Sequence, residues 1–403
     1  MNKKNISLIY TFVFLLLFGC NFFTSTPNDL YPEKTEVGNS GPDIASQNTS
    51  IPQNPTASPT PYPGKGPYEF DDNINPLTGL RVNDASLLER RPVAFKINNY
   101  PRSNRPQWGL SLADIVYEYY HNNELPRFHA IFYGNDASQV GPIRSARFVA
   151  DYRVAMYKSI FVFGSADSRI LDRLTSQDYA KRLIYILDGE CPPKPVCRYD
   201  PQGPNYLVGN TNGARQYVQS LGVNNTRPRL EGMWFQKKNI ASVGMSLQRL
   251  TLRYSYSAYL YWEYDPETNK YLRYQDTQED IGGAGEVFAP ISDRLNGQQI
   301  STSNVVLLFV PHSFFYYLPP QNGKPSVEVV DMDFEGRGKA YAMRDGHMFK
   351  LEWVRTGNDL LYLVFPNGDR YPFTPGNTWF QVVGKETTLE KENNNWRFTF
   401  SFD

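Results

Sequence analysis

Seven consecutive residues, Gly141-Pro142-Ile143-Arg144-Ser145-Ala146-Arg147, place two guanidinium groups beside a candidate helix start. Guanidinium is a planar, permanently charged fork of donors that matches carboxylate and phosphate. Ser145 suits the N-cap of a helix over Ser145–Tyr157, in which Phe148, Tyr152 and Ala155 fall at i, i+4 and i+7. Arg144 then precedes the cap and Arg147 lies in the first turn. Cations there oppose the helix macrodipole, at about 0.3–1 kcal/mol each. An arriving anion would offset that cost and use the free backbone N–H groups as well. The competing reading is internal pairing, Arg147 with Asp151 and Arg144 with Asp114, Glu118 or Asp167. Ion pairs are the commoner use of arginine, and partner acids can also orient an arginine toward a ligand.

A second loop, Gly164-Ser165-Ala166-Asp167-Ser168, follows the apolar run Ser159–Phe163. Ser165 and Asp167 read as rim residues of the same cleft or as helix caps. Asn98 and Asn99 read as rim residues or as turn formers.

The elements that must position these groups follow from period. Strands are expected at Arg91–Asn98, Ala113–Tyr120, Arg127–Tyr133 and Ser159–Phe163, where apolar residues alternate or run together. Gly134–Ile143 is expected as a loop. Strand Arg127–Tyr133, the helix and strand Ser159–Phe163 suggest a right-handed βαβ crossover. A parallel crossover would open both loops at the carboxyl edge of the sheet, where α/β ligands usually bind. Further helices are expected at Ser168–Leu174 and Asn212–Leu221.

The remaining chemistry is sparse. His121, His129, His312 and His347 form no recognised zinc spacing, and no metal site is implied. There is no G-x-S-x-G, Walker loop or dinucleotide fingerprint. No cofactor is implied. Cys191 and Cys197 flank Pro192-Pro193-Lys194-Pro195-Val196, and outside the membrane such a pair reads as a disulfide.

The N-terminus supplies the compartment. Lys3 and Lys4 precede an apolar run, Ile6 to Phe18, that ends in Gly19-Cys20. This is a secretory signal too short to span a bilayer comfortably. A cysteine after Gly19 fits a bacterial lipobox, so residues 1–19 are expected to be removed and Cys20 lipidated. A plain secreted protein with a coincidental Cys20 is the alternative. Residues 20–66 are rich in Pro, Ser, Thr, Asn and Gly and read as a disordered tether. Losing residues 1–19 leaves 39 basic and 41 acidic side chains, a net −2, which argues against a nucleic-acid protein with its basic stripe.

The folded remainder is long enough for two domains, expected at 67–235 and 236–403. The first is a mixed α/β sheet domain with the βαβ unit. The second is β-rich, with Asn304–Pro311 as a buried strand. Further strands fall at Ser326–Asp333, Lys339–Met343, His347–Arg355, Leu360–Phe365 and Thr378–Val383. Asp345-Gly346, Asn367-Gly368 and Pro375-Gly376 mark turns. The class is α+β. Trp353, Trp379 and Trp396 are expected in the core or on sheet faces.

Several stretches carry a resemblance: Asn75-Pro76-Leu77-Thr78-Gly79-Leu80, Arg91 to Asn99, Ala113 to Glu118, Arg127-Phe128, and Val140 to Arg147. From Asn75 to the C-terminus the chain resembles the YerB-type lipoproteins. This is a two-part bacterial family without an agreed biochemical function, which supplies no accepted catalytic residue. Phe95 and Lys96 depart from the small or apolar residues expected before Ile97, and the Cys191–Cys197 loop is a further departure. The resemblance implies a protein on the extracytoplasmic face of the membrane, lipid-anchored through Cys20. The reading that follows is a binder of an anionic envelope ligand through an arginine-lined cleft. The partner would be a cell-wall polymer, a lipid-linked precursor or an envelope protein. The alternative is an enzyme acting on a phosphate-linked wall precursor, with Asp114, Glu118 or Asp167 as base or metal ligand.

Overall fold

The computed structural model describes residues 64–122, 124–185, 195–199, 207–316 and 328–402. The expected signal peptide, Cys20, Cys191 and most of the tether lie outside the described residues. The fold takes up the chain just inside the expected tether boundary, because the Lys65 and Phe235 backbones exchange hydrogen bonds of 2.8 Å.

The first part of the chain builds β1 (Val93–Ile97), β2 (Ile115–Asn122), β3 (Leu125–Phe132), β4 (Val140–Ile143), α1 (Ala150–Tyr157), β5 (Ile160–Val162), α2 (Ser168–Thr175), β6 (Leu183–Ile184), β7 (Val196–Arg198), β8 (Leu207–Gly209) and α3 (Thr211–Ser220). β1 is antiparallel to β3 on one side, pairing Lys96 with His129. Its other edge is shared. β4 pairs there antiparallel at Ile97–Ile143, and β5 pairs parallel from Val93–Ile160 to Phe95–Val162.

This arrangement corrects two expectations. β3 runs antiparallel to β1 and β5 runs parallel to it, so β3 and β5 cannot frame a parallel crossover. The βαβ unit sits one element later, as β5–α2–β6, whose strands pair in parallel. The expected loop Gly134–Ile143 also ends in strand β4.

Helices α2 and α3 follow their sequence signals. Asp167 caps α2 by accepting from the Arg169 N–H, and the helix buries Ile170 and Leu174 at i, i+4. Asn210 caps α3 in the same way, which buries Ala214 and Val218.

The second part adds β9 (Met245–Ser246), β10 (Arg249–Arg253), β11 (Tyr259–Asp265), β12 (Lys270–Asp276), β13 (Phe288–Pro290), β14 (Ser301–Thr302), β15 (Asn304–Val310), β16 (His312–Tyr316), β17 (Glu328–Met332), β18 (Gly336–Arg344), β19 (His347–Arg355), β20 (Tyr362–Val364), β21 (Thr378–Gly384), β22 (Thr388–Glu392) and β23 (Asn395–Thr399). β15 is buried at every position and pairs in parallel with β21, the environment in which an unbroken apolar run such as NVVLLFV is stable. β10 instead alternates buried and half-buried residues, as befits a sheet with one wet face.

The expected division at 235–236 does not separate two sheets. β21 pairs in parallel with β2, Ile115 with Thr378 through Tyr119 with Val382, so one mixed sheet runs β20-β19-β18-β15-β21-β2-β3-β1-β4-β8-β7. Thr60–Asp403 is accordingly one compact unit. The smaller sheet, β13-β12-β11-β10-β23-β22, packs on it, with Trp262 edge-on to Trp379 at 5.2 Å. Trp353, Trp379 and Trp396 are all core residues.

Candidate functional site

Strand alternation assembles a row of cations on one face of β1, β3 and β2. Lys96 stands opposite His129, which stands opposite Tyr117. One step along, Arg127 stands opposite Tyr119, and Asn98 continues β1 at that level. His121 sits at the register irregularity that ends this pairing, close enough to Lys96, Arg127, Arg144 and Arg147 to feel their charge. α1 lies over this surface. Its Arg153, fully buried, stacks on Tyr117 and Tyr119 with its guanidinium carbon 4.7 and 4.4 Å from the ring centroids.

Arg144 and Arg147 reach the same place through the backbone. β4 and β5 run toward each other along one edge of β1 and meet beside Lys96. There the Arg144 N–H donates to the Lys96 carbonyl, and the Gly164 N–H donates to the Arg144 carbonyl. The Ala146 N–H donates to the Ser165 carbonyl, and the Ser145 and Ser165 hydroxyls lie 2.8 Å apart. The two expected loops therefore meet.

These pairings also explain why Ser145 is not a helix cap. Residues 144–146 are tied to neighbouring strands and loops, and α1 begins only at Ala150, after a Val149 N-cap with no side-chain cap bond. Asp151, the expected partner of Arg147, instead binds Arg173 at 2.9 Å and the Tyr179 hydroxyl.

The electrostatics of this face are one-sided. Burial holds the Lys96 ammonium well below the usual lysine range, and Arg127, Arg147 and Arg153 push it the same way. Burial and the Arg144 and Arg147 guanidinium groups push Arg127 down to about 9. His121 is held well below the usual histidine range by burial and by Arg147, Arg127, Lys96 and Arg144. Burial also lowers Arg144. Lys96 donates to the Tyr119 hydroxyl at 2.6 Å and Arg127 to the Tyr100 carbonyl at 2.8 Å, both uncharged acceptors. Asn98 is fully buried, and neither end of its amide has a hydrogen-bond partner among the described residues.

Two of the expected acids lie elsewhere, and the third, Asp167, stands near Arg147, which after the Arg169 hydrogen bond helps lower its carboxyl. Glu118 projects from the opposite face of β2 into a buried ion pair with Arg273. Asp114 accepts from the Tyr133 and Gly134 N–H groups at 2.5 and 3.0 Å and from the Asn75 amide at 2.9 Å. Burial pushes its carboxyl up to about 6 against those hydrogen bonds. Asp167 caps α2 and pairs with Arg169 at 2.8 Å. Asn99 turns the other way and accepts from Gln275, Arg105 and Gln107. Cys197 is disulfide-bonded; its expected partner lies outside the described residues.

Sequence reading singled out Arg144, Arg147, Ser145, Ser165 and Asn98 but missed Lys96, His121, Arg127 and Arg153 as members of one group. The available signal was the period of two along residues 117–119 and 127–129.

Residues 77–189 match the family described as "Protein of unknown function (DUF3048) N-terminal domain", and residues 250–380 match its C-terminal domain. The chain is similar to the Bacillus subtilis (strain 168) protein named "Putative lipoprotein YerB", with 28% identity over 333 residues, covering 76% of this chain and 85% of the relative. The crystal structure of YerB protein from Bacillus subtilis superposes with a TM-score of 0.60 at 25% identity, over 77% of this chain and 96% of that one. With both halves of the sequence matched and the architecture shared, this chain belongs to the two-part DUF3048 family of YerB-type proteins.

Proposed function

We propose that this protein is a bacterial surface lipoprotein whose folded part binds an anionic cell-envelope ligand at the face formed by Lys96, His121, Arg127, Arg144 and Arg147. Anchoring rests on the signal sequence ending at Cys20 and on the lipoprotein name of the Bacillus relative. No helix among the described residues is long and apolar enough to cross a membrane. A tether over residues 20–66 would carry the fold away from the bilayer.

The observation that carries the binding reading is the company Lys96 keeps. A fully buried ammonium whose charged neighbours are Arg127, Arg147 and Arg153 is costly in the empty protein. A multiply charged anion would reverse the sign of that cost. It would also supply a partner for the buried Asn98 amide.

The enzymatic alternative receives less support. Asp114 and Glu118 are committed to structural partners away from the cations, and Asp167, although close enough to Arg147 to feel its charge, is taken up by the α2 cap and Arg169. Among the described residues no group of three or more His, Cys, Asp or Glu side chains is placed to hold a metal ion.

Calorimetric titration of the soluble chain with inorganic pyrophosphate tests the binding. Saturable binding that Lys96→Met with Arg147→Met removes is the expected result. Heats indistinguishable from dilution would refute the reading. Palmitate labelling in cells, present in the native chain and lost in Cys20→Ala, tests the anchor.

A further inference from the structure

A cavity of about 460 Å³ lies away from the cationic face. Its walls come from four distant stretches: the turn at 75–87, the segment 111–114 with Gly134 and Asn135, the strand region 298–303, and the turn at 375–377, with Lys270 beside them. The volume falls in the usual range for small-ligand sites, about 300–1,000 Å³.

The chemistry of the lining is unusual. Ten of the twenty lining residues are Asn, Gln, Ser or Thr, three are charged (Arg81, Asp114 and Lys270), and none carries an aromatic ring. Three links fix the walls. The Asn75 amide donates to Asp114 at 2.9 Å, the Asn377 amide donates to the Ser301 carbonyl at 3.0 Å, and the Gly376 N–H donates to the Thr78 carbonyl at 2.8 Å. Asn83, Asn135 and Gln298, from three different walls, remain exposed.

We infer that this cavity binds a short stretch of uncharged sugar residues, held by amide and hydroxyl side chains from both halves of the chain. A side-chain amide offers donors and an acceptor on one rigid plane, and a sugar hydroxyl is donor and acceptor at once, so the two match without any net charge. An apolar or drug-like ligand would need the hydrophobic and aromatic lining that most small-molecule sites have, and the rings are missing. Charges of both signs stand around the cavity, so it lacks the one-sided field of the cationic face. With no ring for a sugar to stack on, binding is weak, in roughly the millimolar to high-micromolar range. The inference is independent of the anion site: either holds without the other.

Saturation-transfer NMR and calorimetry of the soluble chain with chitotetraose and with maltotetraose, both uncharged, test it. At least one should bind. The variant Asn83→Ala/Asn135→Ala/Gln298→Ala changes only exposed positions. It should unfold at the native temperature, bind that sugar about tenfold more weakly, and bind pyrophosphate unchanged. No binding of either sugar at millimolar concentration, or binding that the triple variant leaves intact, would overturn the inference. Lys96→Met with Arg147→Met should leave the sugar titration unaltered, so failure at one site is distinguishable from failure at the other.

Discussion

Glu118 on β2 and Arg273 on β12 form an ion pair at 2.9 Å with both side chains essentially sealed from water, and so fasten the large sheet to the smaller one. Trp379 donates to the same carboxylate at 3.3 Å, and its ring centroid lies 4.8 Å from the Arg273 guanidinium carbon. Removing one partner leaves a buried charge alone, which costs about 3–5 kcal/mol. Glu118→Ala should therefore lose a large share of the roughly 5–15 kcal/mol that stabilises a typical domain. Glu118→Met combined with Arg273→Leu should recover most of it, because an apolar pair of similar volume avoids the desolvation penalty. Urea unfolding of the two single variants and the double variant checks this. A double variant no more stable than either single one would mean that the pair specifies the fold.

That ion pair also marks the limit of what the sequence discloses. Local signals place β1, β2, β3, β5, β15 and β19 and helices α2 and α3, because period and caps are short-range properties. The pairing of Ile115–Tyr119 with Thr378–Val382 joins segments far apart in the sequence, and no local pattern encodes it. Hence the sheet that crosses the expected 235–236 division is not legible from local signals. Ser145 fails as a cap for the same reason: the backbone around it is paired with Lys96 and the Ser165 loop, which lie next to it only in the folded chain. The arginines at 144 and 147 stand out as a string. Their kinship with Lys96, Arg127 and His121 needs the register of three strands, and that register also sends Glu118 to the far side.

Asp167 separates a cap from a ligand group. Its carboxylate accepts from the Arg169 N–H at the start of α2 and pairs with the exposed Arg169 side chain. An exposed pair of this kind contributes little, so the cap dominates. Asp167→Ala should destabilise the protein by about 1 kcal/mol, while Asp167→Asn should cost less than half of that. Each removes a negative charge near Arg147, so pyrophosphate affinity should not fall. Weakened binding at unchanged stability would place Asp167 in the site.

Arg127 should show opposed effects on stability and binding. Burial and two neighbouring guanidinium groups push it down to about 9, so its charge is held at a cost in the unliganded fold. Arg127→Met keeps the aliphatic stem and removes one member of a like-charged set. The variant should be more stable than the native chain without anion. It should bind pyrophosphate at least tenfold more weakly. Calorimetric melting with and without pyrophosphate reads both effects. A variant that loses stability and keeps its affinity would remove Arg127 from the ligand set.

His129 sets an acid limit on the fold. Its ring is fully buried, stacks on Phe161 at 5.0 Å, and has no hydrogen-bond partner at either nitrogen among the described residues. Burial, with Arg153 and Lys96 nearby, holds it well below the usual histidine range. The folded form therefore keeps His129 neutral, while the unfolded chain takes up a proton below about pH 6.5. The stability this gives is fully present above that pH and is lost as pH falls toward the folded value. The slope is about 1.4 kcal/mol per pH unit for each such histidine. His121 is depressed in the same direction, so two histidines act together. His129→Phe preserves the stack and removes one proton site. Between pH 6.5 and 5 its stability should fall about 1.4 kcal/mol per pH unit less steeply than that of the native chain. Urea unfolding of both proteins across that range, compared pairwise so that every other titrating group cancels, gives the difference. Parallel curves would mean that His129 carries a proton in the folded protein.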